Sequence, residues 1–264
     1  MLPSCMTRHI MIVYTFCALL LLGSTVEAQK NIVISDSLSA NAEMLKVKLG
    51  TQWGKVWKLH FGDYAVVSSK TGWTTTSSKG DFFNTKTEDK STEKFSFILT
   101  SKTADSARVN AANNIQVQSL HEIEIFPHFS WGSSELVQSS QNFSAFININ
   151  KDTSETWGLF MNVTNTRNAE GNYDAFLTNG ERKIFIIPAS SDKNGNDNRS
   201  SPARGYELME NGQSIGAVQY YGGGMMGMNR NMIWIHNQLD SKFKLVLAAA
   251  MTAVLQIKVT TPGF

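Results

Sequence analysis

Cysteine is nearly absent from this chain: two in 264 residues, Cys5 and Cys17. Both fall in an N-terminal stretch with the three parts of a secretory signal. Arg8 gives the basic start, Ile10 to Gly23 the apolar segment, and Val26-Glu27-Ala28 the small-residue cleavage rule. The expected signal covers residues 1–28, and the expected mature chain begins at Gln29. An uncleaved N-terminal anchor is the alternative. Cys17 follows Tyr14-Thr15-Phe16 instead of a small-residue box, which argues against a lipid anchor. Without cysteine, the mature chain can form no disulfide, thiolate nucleophile or cysteine-ligated zinc site, so an exported domain must rely on its core.

Charge excess is also lacking. Lys plus Arg number 24 and Asp plus Glu 22, for a net +2. Loss of residues 1–28 removes one base and one acid and leaves that value unchanged. Such a balance argues against a dedicated nucleic-acid binder. The chain has no internal repeat and no Gly-x-Ser-x-Gly elbow, and no Ser/His/Asp set can be nominated, so no catalytic residue is assigned. No cofactor and no metal site are expected.

What is present is a β-rich chain with one long helix. Residues 29–50 are polar with scattered apolars, and Ala40, Met44, Leu45, Val47 and Leu49 suggest a short helix over 39–49. Residues 51–264 read as a single β-rich domain. Val56–Phe61, Tyr64–Val67, Phe95–Thr100, Ile115–Ile125, Phe143–Ile149, Trp157–Val163 and Met232–His236 read as strands. Trp73–Ser77 suits an edge strand, residues 84–93 a charged loop, and Ala107–Gln118 is ambiguous. Asn179-Gly180 and Asn211-Gly212 each separate two strand patterns, and Asn-Gly supplies the two positive-φ residues of a type I′ turn. About ten strands are expected.

The helix is expected over 241–257. Asp240 is a suitable N-cap, and from Leu245 to Leu255 there is neither charge nor polar face. A helix that is apolar all round must be buried, and this run is too short for a bilayer, which needs ~20 residues. The expected fold is mainly β: an antiparallel, barrel-like curled sheet around a hydrophobic C-terminal helix. Gly205-Tyr-Glu-Leu-Met-Glu-Asn-Gly-Gln-Ser-Ile-Gly-Ala-Val-Gln-Tyr-Tyr221, then Met232–His236, then Asp240 with its apolar helix, resembles the end of a Tubby C-terminal-like domain, whose branches include LURP-one-related and scramblase-like proteins. The resemblance covers residues 205–258 and implies a barrel of about a dozen strands enclosing the helix. It implies no lipid-binding residues here, since the well-known members are intracellular and use basic side chains.

Two stretches carry candidate chemistry. Gly222-Gly-Gly-Met-Met-Gly227 fits G-x-G-x-x-G, but a strand pattern follows where a dinucleotide site needs a helix. Met225, Met226 and Met228 either plug one end of the barrel or line an adaptable apolar or lipid-facing surface; copper-type thioether ligation is a further use. His121-Glu-Ile-Glu-Ile-Phe-Pro-His128 places His121, Glu122, Glu124 and His128 close together. It departs from H-E-x-x-H, because Ile125 stands where the second histidine belongs. The glutamates share one strand face, as solvent-facing side chains, the favoured reading, or as a paired acid/base or a metal site. His60 and His236 read as core or rim histidines, and Trp73 and Trp131 as aromatics able to stack on a sugar. Asn142, Asn162 and Asn198 head glycosylation sequons, meaningful only in a eukaryotic secretory route. The favoured function is an exported (secreted, periplasmic or envelope) non-catalytic binding or scaffold protein. Its partner would be an apolar ligand, an envelope component or a membrane surface, and no nucleic acid. The alternatives are a hydrolase-like enzyme using the acidic/histidine cluster, and a lipid or membrane-surface module.

Overall fold

A computed structural model describes residues 31–53, 56–72, 75–80, 87–103, 105–116, 123–126, 129–131, 140–150, 155–162, 175–191, 202–222 and 231–260. The chain is mostly antiparallel β-sheet with few helices. Short helix α1 (Asp36–Asn41) leads into β1 (Ala42–Lys46), β2 (Lys48–Trp53), β3 (Val56–Phe61), β4 (Tyr64–Thr71), β5 (Thr75–Gly80), β6 (Thr87–Thr100) and β7 (Ser106–Gln116). Then come β8 (Ile123–Phe126), β9 (Phe129–Trp131), β10 (Ser140–Ile149), β11 (Thr156–Asn162), β12 (Ala175–Thr178) and β13 (Lys183–Ser190). β14 (Arg204–Glu210), β15 (Gln213–Tyr221), β16 (Met232–His236) and the helix α2 (Ser241–Thr260) complete the chain. Among the described residues there are thus sixteen strands, more than the ten that turn signals suggest.

Thirteen of them follow one path: β1-β16-β15-β14-β13-β12-β11-β10-β7-β6-β4-β3-β2, with β5 attached to β6. The two ends of that path, β1 and β2, are consecutive in the chain and separated only by Val47, whose N–H donates to Asn231 O (3.0 Å). One bent ribbon therefore meets β16 with its first half and β3 with its second, which nearly closes the sheet into a barrel. Closure removes the unpaired edges that an open sheet would present.

Alternation decides what faces inward. On β10, Phe143, Ala145, Ile147 and Ile149 are buried while Ser144, Phe146 and Asn148 are half-buried on the other face. Inside lies α2, with Leu245 through Ile257 all buried and one core cluster uniting helix and strands. Its middle is thin, with Ala248, Ala249, Ala250 and Ala253, so the strands can approach it closely. Thr252, fully buried, donates its hydroxyl to Ala248 O (2.7 Å) and leaves no polar group unmet there. No helix among the described residues is long and apolar enough to cross a membrane.

Both helix ends are tied to the wall. At the start, the Asp240 carboxylate accepts from Phe243 N–H (2.8 Å), the expected cap. Arg182 stacks 3.8 Å over the Phe243 ring and makes a two-pronged bond to Glu210 (2.7 and 2.8 Å). Near the finish, Gln256 accepts from Trp57 N–H (2.9 Å) and donates to Trp57 O (2.7 Å), taking the place of a neighbouring strand. A second, smaller cluster sits outside the barrel. Ile32 and Leu38 pack on Ala203, Ala217, Met232 and Trp234, with Ile32 N–H bonded to buried Gln219 (2.9 Å) and Ser35 N–H to Glu207 (2.9 Å). Gly205 permits that docking, since a Cβ there would lie 2.8 Å from Ile32 Cδ1 and 2.2 Å from Val218 O.

Several local expectations are overturned. The helix expected over 39–49 ends at Asn41, and β1 and β2 follow. Leu45 and Val47, two apart, pack against the barrel core, so a period-two pattern outweighs the helical one. The charged segment 84–93 is no simple loop: β6 starts at Thr87, because its backbone pairs with β5 on one side and β7 on the other. Of the ambiguous segment 107–118, residues 107–116 belong to β7, and 117–118 lie outside the described residues. Of the strand expected from Ile115 to Ile125, Ile115 and Gln116 fall in β7 and residues 123–125 in β8, while 117–122 lie outside the described residues. Asn211 and Gly212 both have positive φ (49° and 78°), as the type I′ turn demands. At Asn179-Gly180 only Gly180 does (94°). There the Asn179 side-chain Oδ1 accepts from the N–H groups of Glu181 and Arg182, forming a longer loop instead.

Candidate functional site

The registers sort the connections between two barrel ends. The short connections β3–β4, β6–β7, β10–β11, β12–β13 and β14–β15, together with the one from β16 to α2, lie at the end where the helix enters. The longer connections β7–β10, β11–β12, β13–β14 and β15–β16 all leave from the opposite end, where α2 finishes. A rigid frame with long loops gathered at one end is where binding residues tend to concentrate.

The sequence candidates fall on those connections. Met225, Met226 and Met228 lie outside the described residues, as do His121, Glu122 and His128. Glu124 is on β8, its backbone opposite Ser130 of β9. Trp131 ends β9, and Trp73 lies outside the described residues. His60 is exposed on β3 and His236 half-buried at a turn, where its Nδ1 accepts from Gln238 N–H (3.3 Å); neither is a core residue. Among the described residues no three His, Cys, Asp or Glu side chains gather as a metal site.

Sequence reasoning missed a groove on the outer wall. It crosses β4, β6, β7 and β10 and encloses about 460 Å³. Cross-strand register builds it from two parallel rows. One row is Lys70, Ser96, Asn110 and Phe146; the next is Gly72, Lys94, Ala112 and Ser144. The second row is short at Gly72, Ala112 and Ser144, so it forms a floor. Phe146 walls one side, edge-on to Phe160 (6.0 Å, 78°), and exposed Lys70 and Lys94 stand on the other. From Phe160 the aromatics continue directly opposite one another to Phe176 and Phe185, with Lys183 Nζ over both rings (4.6 and 5.1 Å). The residues lining the groove carry two ammonium groups, three hydroxyls (Thr71, Ser96 and Ser144) and an amide, and no carboxylate.

A second cleft of about 470 Å³ opens at the helix-entry end, lined by Glu43, Asp63, Tyr64, Lys102, Asn237 and Lys244 among others. Both of its ammonium groups have partners. Lys102 pairs with Asp63, which raises the Lys102 pKa, and Lys244 donates to Asn237 O (2.6 Å). Burial, aided by Asp63, raises the Tyr64 hydroxyl. That cleft mixes acids with bases, whereas the lining of the outer groove holds bases without acids. Comparison with family profiles, curated proteins and solved structures finds no match.

Proposed function

We propose that this is an exported, non-catalytic binding protein built like a Tubby C-terminal-like domain, and that it takes its partner on the outer wall of the barrel. The observation that carries the proposal is the filling of the barrel by α2, whose residues from Leu245 to Ile257 are buried against the strands. With the interior occupied, concave surface is left outside and at the ends. The ribbon of β1 and β2, joining β16 to β3 around a terminal apolar helix, supports the family resemblance.

The groove's chemistry suits an acidic, hydroxyl-rich envelope component. Lys70 and Lys94 answer carboxylates, Ser96, Asn110 and Ser144 exchange hydrogen bonds with hydroxyls, and Phe146 offers a face for a sugar ring. The hydrolase and membrane-surface alternatives depend on residues 121–128 and 225–228, and no described geometry favours either. The test uses oligogalacturonate immobilised on a column. The mature chain should be retained, and Lys94→Glu or Ala112→Trp, which blocks the floor, should elute early with an unchanged Tm. Equal retention of the Ala112→Trp variant, or none for the native chain, overturns the groove assignment. Export is tested separately, by sequencing the N-terminus of secreted protein; a start other than Gln29 refutes the assigned cleavage.

A further inference from the structure

At the end where α2 leaves the barrel, Lys258 reaches over two tyrosines. Its ammonium lies 5.1 Å from the Tyr220 ring centre and 5.8 Å from that of Tyr206. The two rings are 5.4 Å apart and tilted by 36°. Tyr206 belongs to the core cluster and Tyr220 packs against it. The pairing is made possible by a bulge. Arg204 is opposite Tyr221 while Gly205 is opposite Gln219, so Tyr220 is the extra residue of β15. Exposed Arg204, at the first position of β14, adds a second positive charge whose field acts on both Lys258 and Tyr220.

The two phenols share one hydrogen bond, which leaves the pair one hydroxyl proton for something else. The Lys258 ammonium and that phenol proton thus meet at this end of the barrel, within the field of the Arg204 guanidinium. The ion pairs formed by described residues lie elsewhere, at Asp63–Lys102, Glu155–Lys242 and Arg182–Glu210. Among the described residues neither Lys258 nor Arg204 has a carboxylate partner. A partly buried ammonium without a counter-charge is unfavourable, although the carbonyl end of the helix offsets some of that. Burial, with Arg204 adding, accordingly lowers the Lys258 pKa to about 8.

We propose that Lys258, Arg204 and Tyr220 form a binding subsite for the carboxylate of an organic monoanion, with the tyrosine rings as the wall for its apolar body. A carboxylate presents two coplanar oxygens that a guanidinium and an ammonium can share. The aromatic wall and partial burial favour a singly charged organic acid over a strongly hydrated dianion. This assignment is independent of the outer groove, since no residue is common to both.

The test uses benzoate as probe, with benzamide as its neutral isostere and inorganic phosphate as the competing oxyanion. Lysines of the mature chain are reductively methylated with ¹³C-formaldehyde, which keeps their charge, and the Lys258 signal is assigned through Lys258→Met. Benzoate should shift that signal saturably and raise its apparent pKa, because a bound anion favours the protonated amine. Tyr220→Phe and Arg204→Gln should each weaken binding by about tenfold for the loss of one charge-assisted or hydroxyl bond. Lys258→Met keeps the apolar stem over the rings; a Tm no lower than that of the native chain together with lost benzoate binding would confirm a role in binding beyond packing. The proposal is overturned if benzamide binds as well as benzoate, if phosphate binds in its place, or if no saturable shift occurs.

Discussion

Replacing Leu247 with alanine measures how firmly the helix is gripped. Leu247 is fully buried in the middle of α2, in the cluster shared with the strands. Its neighbours along the helix include Ala248, Ala249 and Ala250, which have no side chain long enough to fill the space left behind. The site can collapse only if the barrel wall itself moves, and a hydrogen-bonded sheet yields little. A Leu→Ala change in a core costs ~2–5 kcal/mol, and poor collapse places this one in the upper half, at about 3–4 kcal/mol. For a chain of this size each kcal/mol lowers Tm by about 2–4 °C, so the expected fall is about 6–16 °C. Differential scanning calorimetry of the mature chain reads it directly, with exposed Ser241→Ala as the control. Ala250→Asp is the harsher companion, burying a charge without a partner, and should yield no folded protein. If Leu247→Ala melts within a degree or two of the native chain, or Ala250→Asp folds normally, the helix is not enclosed as described.

Gln256→Leu should lower stability by about 2–4 kcal/mol in urea unfolding, because it strands the N–H and C=O of Trp57 together; Gln256→Glu should restore only the accepting half. The pH profile should be a dome on the alkaline side. Lys258 has a folded pKa lowered to about 8 from 10.5, so the unfolded chain binds more protons between those values, and stability rises there with pH. Tyr64, Tyr206 and Tyr220 have folded pKa values raised above 10.0 by burial, so above that pH the unfolded chain loses protons first and stability falls. Thermal melts from pH 7 to 11 check both limbs, and Lys258→Met should flatten the rising one. Asn142 is buried, and its Oδ1 has no hydrogen-bond partner, so mass spectrometry of folded protein from a eukaryotic host should find its sequon unmodified.

Much of the barrel is written locally. The α2 pattern, the β10 alternation and the Asn211-Gly212 turn each depend on a few contiguous residues, and each appears in the structure. The two wall features were not legible for the opposite reason. Lys70, Lys94, Ala112 and Phe146 become neighbours only through the pairing of β4, β6, β7 and β10, and no local pattern states which strands pair or in what register. Lys258 carried a faint sign, as the charge that ends the apolar run. Its tyrosine partners are placed by a bulge, which sequence periodicity does not announce. Segment 87–93 misleads in a related way, since its charge suggests a loop while strand pairing on both sides fixes it as β6.

The position of the seam follows from the helix. A sheet this long, covering one apolar rod, has to bring its edges together, and the edges here are consecutive in the chain. The first strand to leave α1 therefore serves both edges, and Val47 is where it changes neighbours. Small residues on α2 set how tightly the wall curls, and the curl sets whether β1 and β2 can belong to one ribbon. Larger side chains at Ala249 or Ala253 should thus act at a distance. Ala253→Leu would force the wall outward, and the Val47–Asn231 bond at the seam should open before any hairpin does. Hydrogen exchange at Val47, compared with Ala145 in the middle of β10, would show it. Equal protection of both amides in that variant would mean that the barrel yields elsewhere, and that helix girth does not govern closure.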